Sequence, residues 1–172
     1  MKLTLRSRTF GFVMLVSQLG VAQPAASRPT ESKVKPQKLS ASAIQIEPVE
    51  AGDISIPAEF RYAIYERLIE RVRKDGSFQK VYRSGDREAS NVADLVTLRT
   101  KIGRFKEGSE LQRELTTVIG GTTVDVVATV AGRDGHVLFE SDLSGKVRFF
   151  GENLGVTNDL AKRIAKLLRE RF

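Results

Sequence analysis

The sequence predicts an α+β fold. It is a two-layer sandwich with a mostly antiparallel sheet of four to six strands and two main helices packed on one face, in the order β-α-β-β-(β)-β-β-α. Three observations carry this. Thr122–Val130 and Val137–Leu143 alternate apolar and polar residues on either side of Asp134-Gly135. Asp-Gly is a strong hairpin signal there, because both central residues of a type I′ turn need positive φ. Pro57–Lys74 and Asn158–Phe172 repeat apolar residues at helical spacing. Each element has one apolar face, and such faces need each other's cover.

With Asp134-Gly135 as the turn, Arg133 falls opposite His136, Val130 opposite Phe139, Ala128 opposite Ser141 and Val126 opposite Leu143. Cross-strand partners share a face, so Val124, Val126, Ala128, Val130, Phe139 and Leu143 gather on one side. Both helices are expected on that side. Asp125, Thr129, Glu140, Asp142 and Ser144 take the other. A slip of one residue would mix the two sets, so the register is well specified.

The remaining elements follow in chain order. Ile44–Val49 alternates and reads as the first strand, with Pro48 at a sheet edge or at the strand's end. In the first helix Phe60, Ile64, Leu68 and Val72 recur every fourth residue, with Tyr65 and Ile69 widening the stripe. Pro57 suits its first turn, Glu70 and Lys74 are spaced for an ion pair, and Asp75-Gly76 closes it. Phe78–Tyr82 reads as a short second strand. Ser84–Asn91 is a polar loop with room for one helical turn, and Ala93–Phe105 is a third strand with Val96, Leu98, Thr100 and Ile102 on one face. Leu111–Ile119 reads equally as a further strand or as a loop crossing the sheet. The hairpin's second strand has an extension through Lys146–Phe150 beyond a kink at Ser144-Gly145. In the last helix Thr157 or Asn158 is the cap, Asp159 lies in the first turn, and Leu160, Ile164, Leu167 and Leu168 form the stripe, with Ala161 and Ala165 at its margin.

The N-terminus reads differently. Lys2, Arg6 and Arg8 precede an apolar run of about a dozen residues from Phe10 to Val21, and Gly20-Val-Ala22 offers a cleavage site, with Ala25-Ala26 as a second. The run is too short to span a membrane as a helix, which takes about 20 residues. Residues 1–22 are therefore expected to be a signal peptide, 23–42 a Pro- and Ser-rich flexible linker, and 43–172 the α+β domain. The whole chain carries 28 Lys+Arg against 21 Asp+Glu, a net of +7; without residues 1–22 the balance is 25 against 21, or +4. So small an excess on an exported chain argues against nucleic acid. No cysteine is present, which excludes disulfides, thiolate chemistry and a cysteine-linked lipid anchor.

No chemistry stands out among the motifs. His136 is the only histidine and follows the turn directly, so a zinc site of the usual ligand count is not expected. Asp125, Glu140 and Asp142 share a face, and paired carboxylates serve acid–base catalysis or bind hard cations. On a flat sheet face, however, they read as solvated charge. Gly120-Gly121 lacks the strand, helix and Gly-Lys-Ser of a phosphate loop and reads as a bend at a strand entrance. Lys162, Arg163, Lys166 and Arg169 make the last helix basic on one side, suited to an acidic partner or anionic headgroups. Arg113 sits in the long segment 106–121, and long irregular connections are often functional. The interaction candidates are Arg113, Gly120, Gly121, Lys162 and Lys166; no catalytic, metal or cofactor residue is assigned.

Gly108-Ser-Glu-Leu-Gln-Arg113, the glycine pair, the strand Val124–Val130, Asp134-Gly135, Ala93-Asp94-Leu95 and the closing helix together resemble the bacterial exported family catalogued as domain of unknown function 4410. The resemblance covers residues 44–172. Relatives carry a fuller glycine-rich signature where this chain has Ile119-Gly120-Gly121-Thr122, and many are lipoproteins. The layout is also similar to periplasmic α/β domains of curli-secretion lipoproteins and of activators of penicillin-binding proteins. The resemblance implies a non-enzymatic periplasmic or secreted binding or assembly module with another envelope protein as partner. A small carboxylate-dependent hydrolase or carbohydrate-acting enzyme is the alternative, and membrane-surface association through the last helix is a third.

Overall fold

The computed structural model describes residues 38–109, 121–147 and 154–172. Its elements are β1 (Ala43–Ile46), α1 (Ala58–Asp75), β2 (Lys80–Arg83), a 3₁₀ turn (Arg87–Asn91), β3 (Leu95–Lys106), β4 (Thr122–Gly132), β5 (Val137–Val147) and α2 (Gly155–Arg171). The strands form one open sheet in the order β2-β1-β3-β4-β5. The expected α+β sandwich with two helices on a five-stranded sheet is what forms. Leu111–Ile119, read as either a strand or a loop, falls outside the described residues.

The sheet is mixed. β3, β4 and β5 run antiparallel through long ladders, while β1 pairs in parallel with both β2 and β3. Parallel pairing follows from the connection: α1 carries the chain from β1 back to the same end of the sheet before β2 begins. β1 is therefore internal, and Pro48 stands beyond its end rather than in the ladder. Asp94 helps seat β1. Its carboxylate accepts the Ser42 N–H at 2.8 Å and the Ser42 hydroxyl at 2.5 Å, and these bonds hold the carboxyl below its ordinary range.

One face of the sheet is dry. Ile44, Ile46, Leu98, Ile102, Val124, Val126, Ala128 and Val130 pack there against Phe60, Ile64, Leu68 and Val72 of α1 and Val156, Leu160, Ile164 and Leu168 of α2. Burying each of the larger aliphatic side chains contributes about 1.5–3 kcal/mol. Ala161 and Ala165, expected at the margin of the stripe, are 2% exposed and belong to the core. Leu167, expected within it, is only half-buried. α1 begins at Ala58 with Pro57 as its cap residue, and Gly76 ends it in the left-handed conformation at φ 72°.

Two irregularities keep the faces apart. At the hairpin, Val130 pairs with Phe139, Ala128 with Ser141 and Val126 with Leu143, as expected. The turn itself is one residue longer than a two-residue type I′ connection. The Gly132 N–H donates to the His136 carbonyl and the Gly135 N–H to the Gly132 carbonyl, so Arg133, Asp134 and Gly135 form a three-residue loop with Gly135 at φ 83°. A register shift at Val130/Ala131 then restores the pairing. In β3 the extra residue is Gly103: Ile102 pairs with Val126, but Arg104 pairs with Asp125 and Phe105 with Val124. Without that bulge Arg104 would point into the core and Phe105 out of it. With it, Phe105 meets Phe60 edge-on, ring centroids 5.0 Å apart.

α2 starts earlier than expected. Leu154 is its cap residue, and no side chain caps it; the Thr157 hydroxyl instead donates to the Leu154 carbonyl at 2.7 Å. Asp159 turns to the sheet, accepting the Lys146 N–H at 3.0 Å and Arg163 Nε at 2.9 Å. β5 does continue through Gly145, and the glycine is required there. A Cβ at Gly145 would stand 2.8 Å from the Val156 carbonyl oxygen and 2.9 Å from Leu160 Cβ, both fixed by the helix. Gly145→Ala is expected to destabilise the protein by about 1–3 kcal/mol through overpacking, measured as a lowered midpoint in urea unfolding at unchanged m-value.

Candidate functional site

The face of the sheet turned away from the helices carries the polar residues in rows. Arg99, Thr129 and Glu140 lie side by side across β3, β4 and β5; Lys101, Val127 and Asp142 form the next row, and Arg104, Asp125 and Ser144 the third. Glu50 continues the second row on the other side, bridging to Lys101. At the third row the face opens into a groove of about 420 Å³ bordered by Arg104, Asp125, Val127, Asp142, Ser144 and Lys146.

Asp125 anchors that groove. Its Oδ2 accepts Arg104 Nε at 2.7 Å and lies 2.6 Å from Arg104 Nη2. Partial burial pushes the Asp125 carboxyl up, but the Ser144 hydroxyl, Arg104 and Lys146 outweigh it and hold the carboxyl below its ordinary range. Ser144 Oγ is buried without a well-formed hydrogen bond, so the direct contact with Arg104 is the firmer hold. A carboxyl held ionised is a poor proton donor near neutral pH. Glu140 accepts the Thr129 hydroxyl at 3.0 Å, and Asp142 has no ion partner among the described residues. The three carboxylates thus share a face, as expected. Among the described residues no three His, Asp or Glu side chains come together to hold a metal ion.

His136 is exposed in the hairpin loop, and its backbone N–H donates to Asp134 Oδ1 at 3.0 Å. Gly121 is half-buried just before β4, whereas Arg113 and Gly120 lie outside the described residues. On the helix layer, the five basic residues of α2 do not act alike. Arg163 pairs with Asp159 at 2.9 Å, Lys166 with Glu170 at 3.7 Å and Arg169 with Asp75 at 2.9 Å, leaving Lys162 and Arg171 without an ion pair among the described residues. The spaced pair Glu70–Lys74 does not form either, because Glu70 is taken by Arg67 at 2.8 Å. Glu66 is gripped by Arg83 through two bonds of 2.5 and 2.7 Å, which hold its carboxyl low.

Sequence reasoning found Asp125 but missed Arg104 and Lys146 beside it. The available signal was Gly103: a glycine inside a strand pattern marks a bulge, and the bulge is what turns Arg104 outward.

No protein-family model matches the chain, and no curated protein matches it. Solved structures do. The PelC dodecamer from Paraburkholderia phytofirmans superposes with a TM-score of 0.58 at 12% identity, over 78% of this chain and 92% of that one. A single-residue variant of the same PelC gives 0.58 at 10% identity, over 80% and 92%. Protein XCC0632 from Xanthomonas campestris gives 0.49 at 11% identity, over 80% and 88%. At such identities the likeness to PelC is one of fold.

The depressed Asp125 carboxyl predicts an acid dependence. Its folded pKa lies below the unfolded one, so its stabilisation is present above about pH 4 and is lost as the pH falls through the folded value. Asp125→Asn is expected to cost about 0.5–1 kcal/mol at pH 7 and close to nothing near pH 2. Urea unfolding of both proteins at the two pH values measures it.

Proposed function

We propose that this chain is an exported, non-enzymatic binding or assembly module of the bacterial cell envelope, working through the open face of its sheet on another envelope protein. The observation that carries the reading is the form of that face. Its charges stand in rows on a flat, accessible surface around an open groove, which suits a macromolecular surface better than a small substrate that must be enclosed. Two further features support it. The first 22 residues have the charge, apolar run and small-residue site of a signal peptide. The fold is shared with PelC, which is described as a dodecamer, so one bearer of this fold assembles from copies. Membership of the family catalogued as domain of unknown function 4410 is part of the same proposal and rests on the short motifs quoted above.

Photo-crosslinking in the native envelope tests this. A crosslinkable residue at Thr129 is expected to capture a discrete protein, and Asp142→Lys is expected to abolish the capture while leaving the unfolding midpoint within about 0.5 kcal/mol of the parent. Absence of any protein adduct, or capture indifferent to Asp142, would overturn the reading. So would retention of the protein in the cytoplasm.

A further inference from the structure

A second charged surface lies on the opposite layer, and its cations fall into two sets. Arg67, Arg163, Lys166 and Arg169 each hold a carboxylate, and Arg73 donates to the Val81 carbonyl at 3.2 Å. Arg71 and Lys74 of α1 and Lys162 of α2 have no ion pair or hydrogen bond among the described residues. Those three border a single groove between the two helices, of about 110 Å³. Arg61 and Arg171 also have no ion pair among the described residues, but neither borders the groove. The one carboxylate there, Glu70, is committed to Arg67.

Arg71 is the more telling member. Its Nε is buried and has no acceptor among the described residues. An unpaired buried donor costs stability, and more so when the group is charged. Three like charges brought to one groove without a counterion add repulsion. The repulsion is relieved by the arrival of an anion.

The donor set defines what kind. A guanidinium edge offers planar, directional N–H groups, two ammonium groups act as point charges, and the Asn158 amide borders the same groove. Together they match the oxygens of a tetrahedral oxyanion. The groove, of about 110 Å³, has room for one phosphate or sulfate group beside these side chains. We infer that the groove formed by Arg71, Lys74, Asn158 and Lys162 binds a phosphate-type oxyanion, supplied either as a free phosphoryl compound or as a phospholipid headgroup. This is independent of the sheet-face reading above, since it uses the other layer.

The test is thermal unfolding of the purified chain in inorganic phosphate against chloride at matched ionic strength. Alongside it runs co-sedimentation with vesicles of phosphatidylglycerol and phosphatidylcholine against phosphatidylcholine alone. At phosphate tenfold above half-saturation, the midpoint is expected to rise by about 3–5 °C. The rise should vanish in Lys74→Gln/Lys162→Gln and persist in Lys166→Gln, whose position is outside the groove. A phosphate shift with that pattern assigns a free phosphoryl ligand. Binding to the phosphatidylglycerol vesicles with the same pattern, and no phosphate shift, assigns a headgroup. Equal loss in Lys166→Gln would reduce the effect to general basic charge and overturn the inference. So would the absence of both shift and vesicle binding.

Discussion

The structure depends on the one-sidedness of its sheet. β4 presents Val124, Val126, Ala128 and Val130 to one side, and each is at most 2% exposed. That row supplies much of the apolar area that offsets the entropy of ordering the chain, and it is dry only because two helices cover it. The helices need it in return, since each carries a single apolar stripe. The irregular features serve the same end. The Gly103 bulge keeps Phe105 inside and Arg104 outside, and the missing side chain of Gly145 lets α2 lie directly on β5.

Features that rest on periodicity were legible from residues alone. The alternation in β4 and β5 fixed their register, because only one pairing keeps Val126 and Leu143 together and Asp125 with Ser144. The four-residue spacing in α1 likewise named its buried face, and Gly76 its end. What stayed hidden turns on choices among near-equal local options. The hairpin closes with three loop residues rather than two, since the left-handed glycine suits either turn and a compensating shift leaves the downstream pairs unchanged. α2 reaches back to Gly155 because Val156 and Thr157 have a core to enter, which no capping preference records. Glu70 had Arg67, Arg73 and Lys74 at helical spacing on its own helix and took Arg67.

The charged surfaces were legible by residue type and only partly by arrangement. That Asp125, Glu140 and Asp142 share a face follows from the two-residue period of a strand. That Arg104 stands beside Asp125 depends on a bulge, and that Arg71 stands beside Lys162 depends on how two helices far apart in sequence are laid together. Contacts of the second kind are set by tertiary packing, so no window of local sequence contains them. The two surfaces also differ in character. The sheet face mixes both signs in adjacent rows, whereas the interhelix groove leaves only positive charge unmatched.

The central place of β1 has a consequence for how the chain assembles. Neighbouring strands β3, β4 and β5 are joined by antiparallel ladders, of which the β4–β5 hairpin is local and the kind that closes in about 1–10 μs. β1 is four residues long and has a parallel partner on each side, and β2 touches the rest of the sheet only through it. Its contacts with β3 span some fifty residues of sequence, so the loop entropy must be met before the contacts are gained. From sequence separation alone, the sheet is expected to assemble as a β3-β4-β5 meander first and a β2-bearing flank second. What ties that flank to the core is the burial of Ile44 and Ile46.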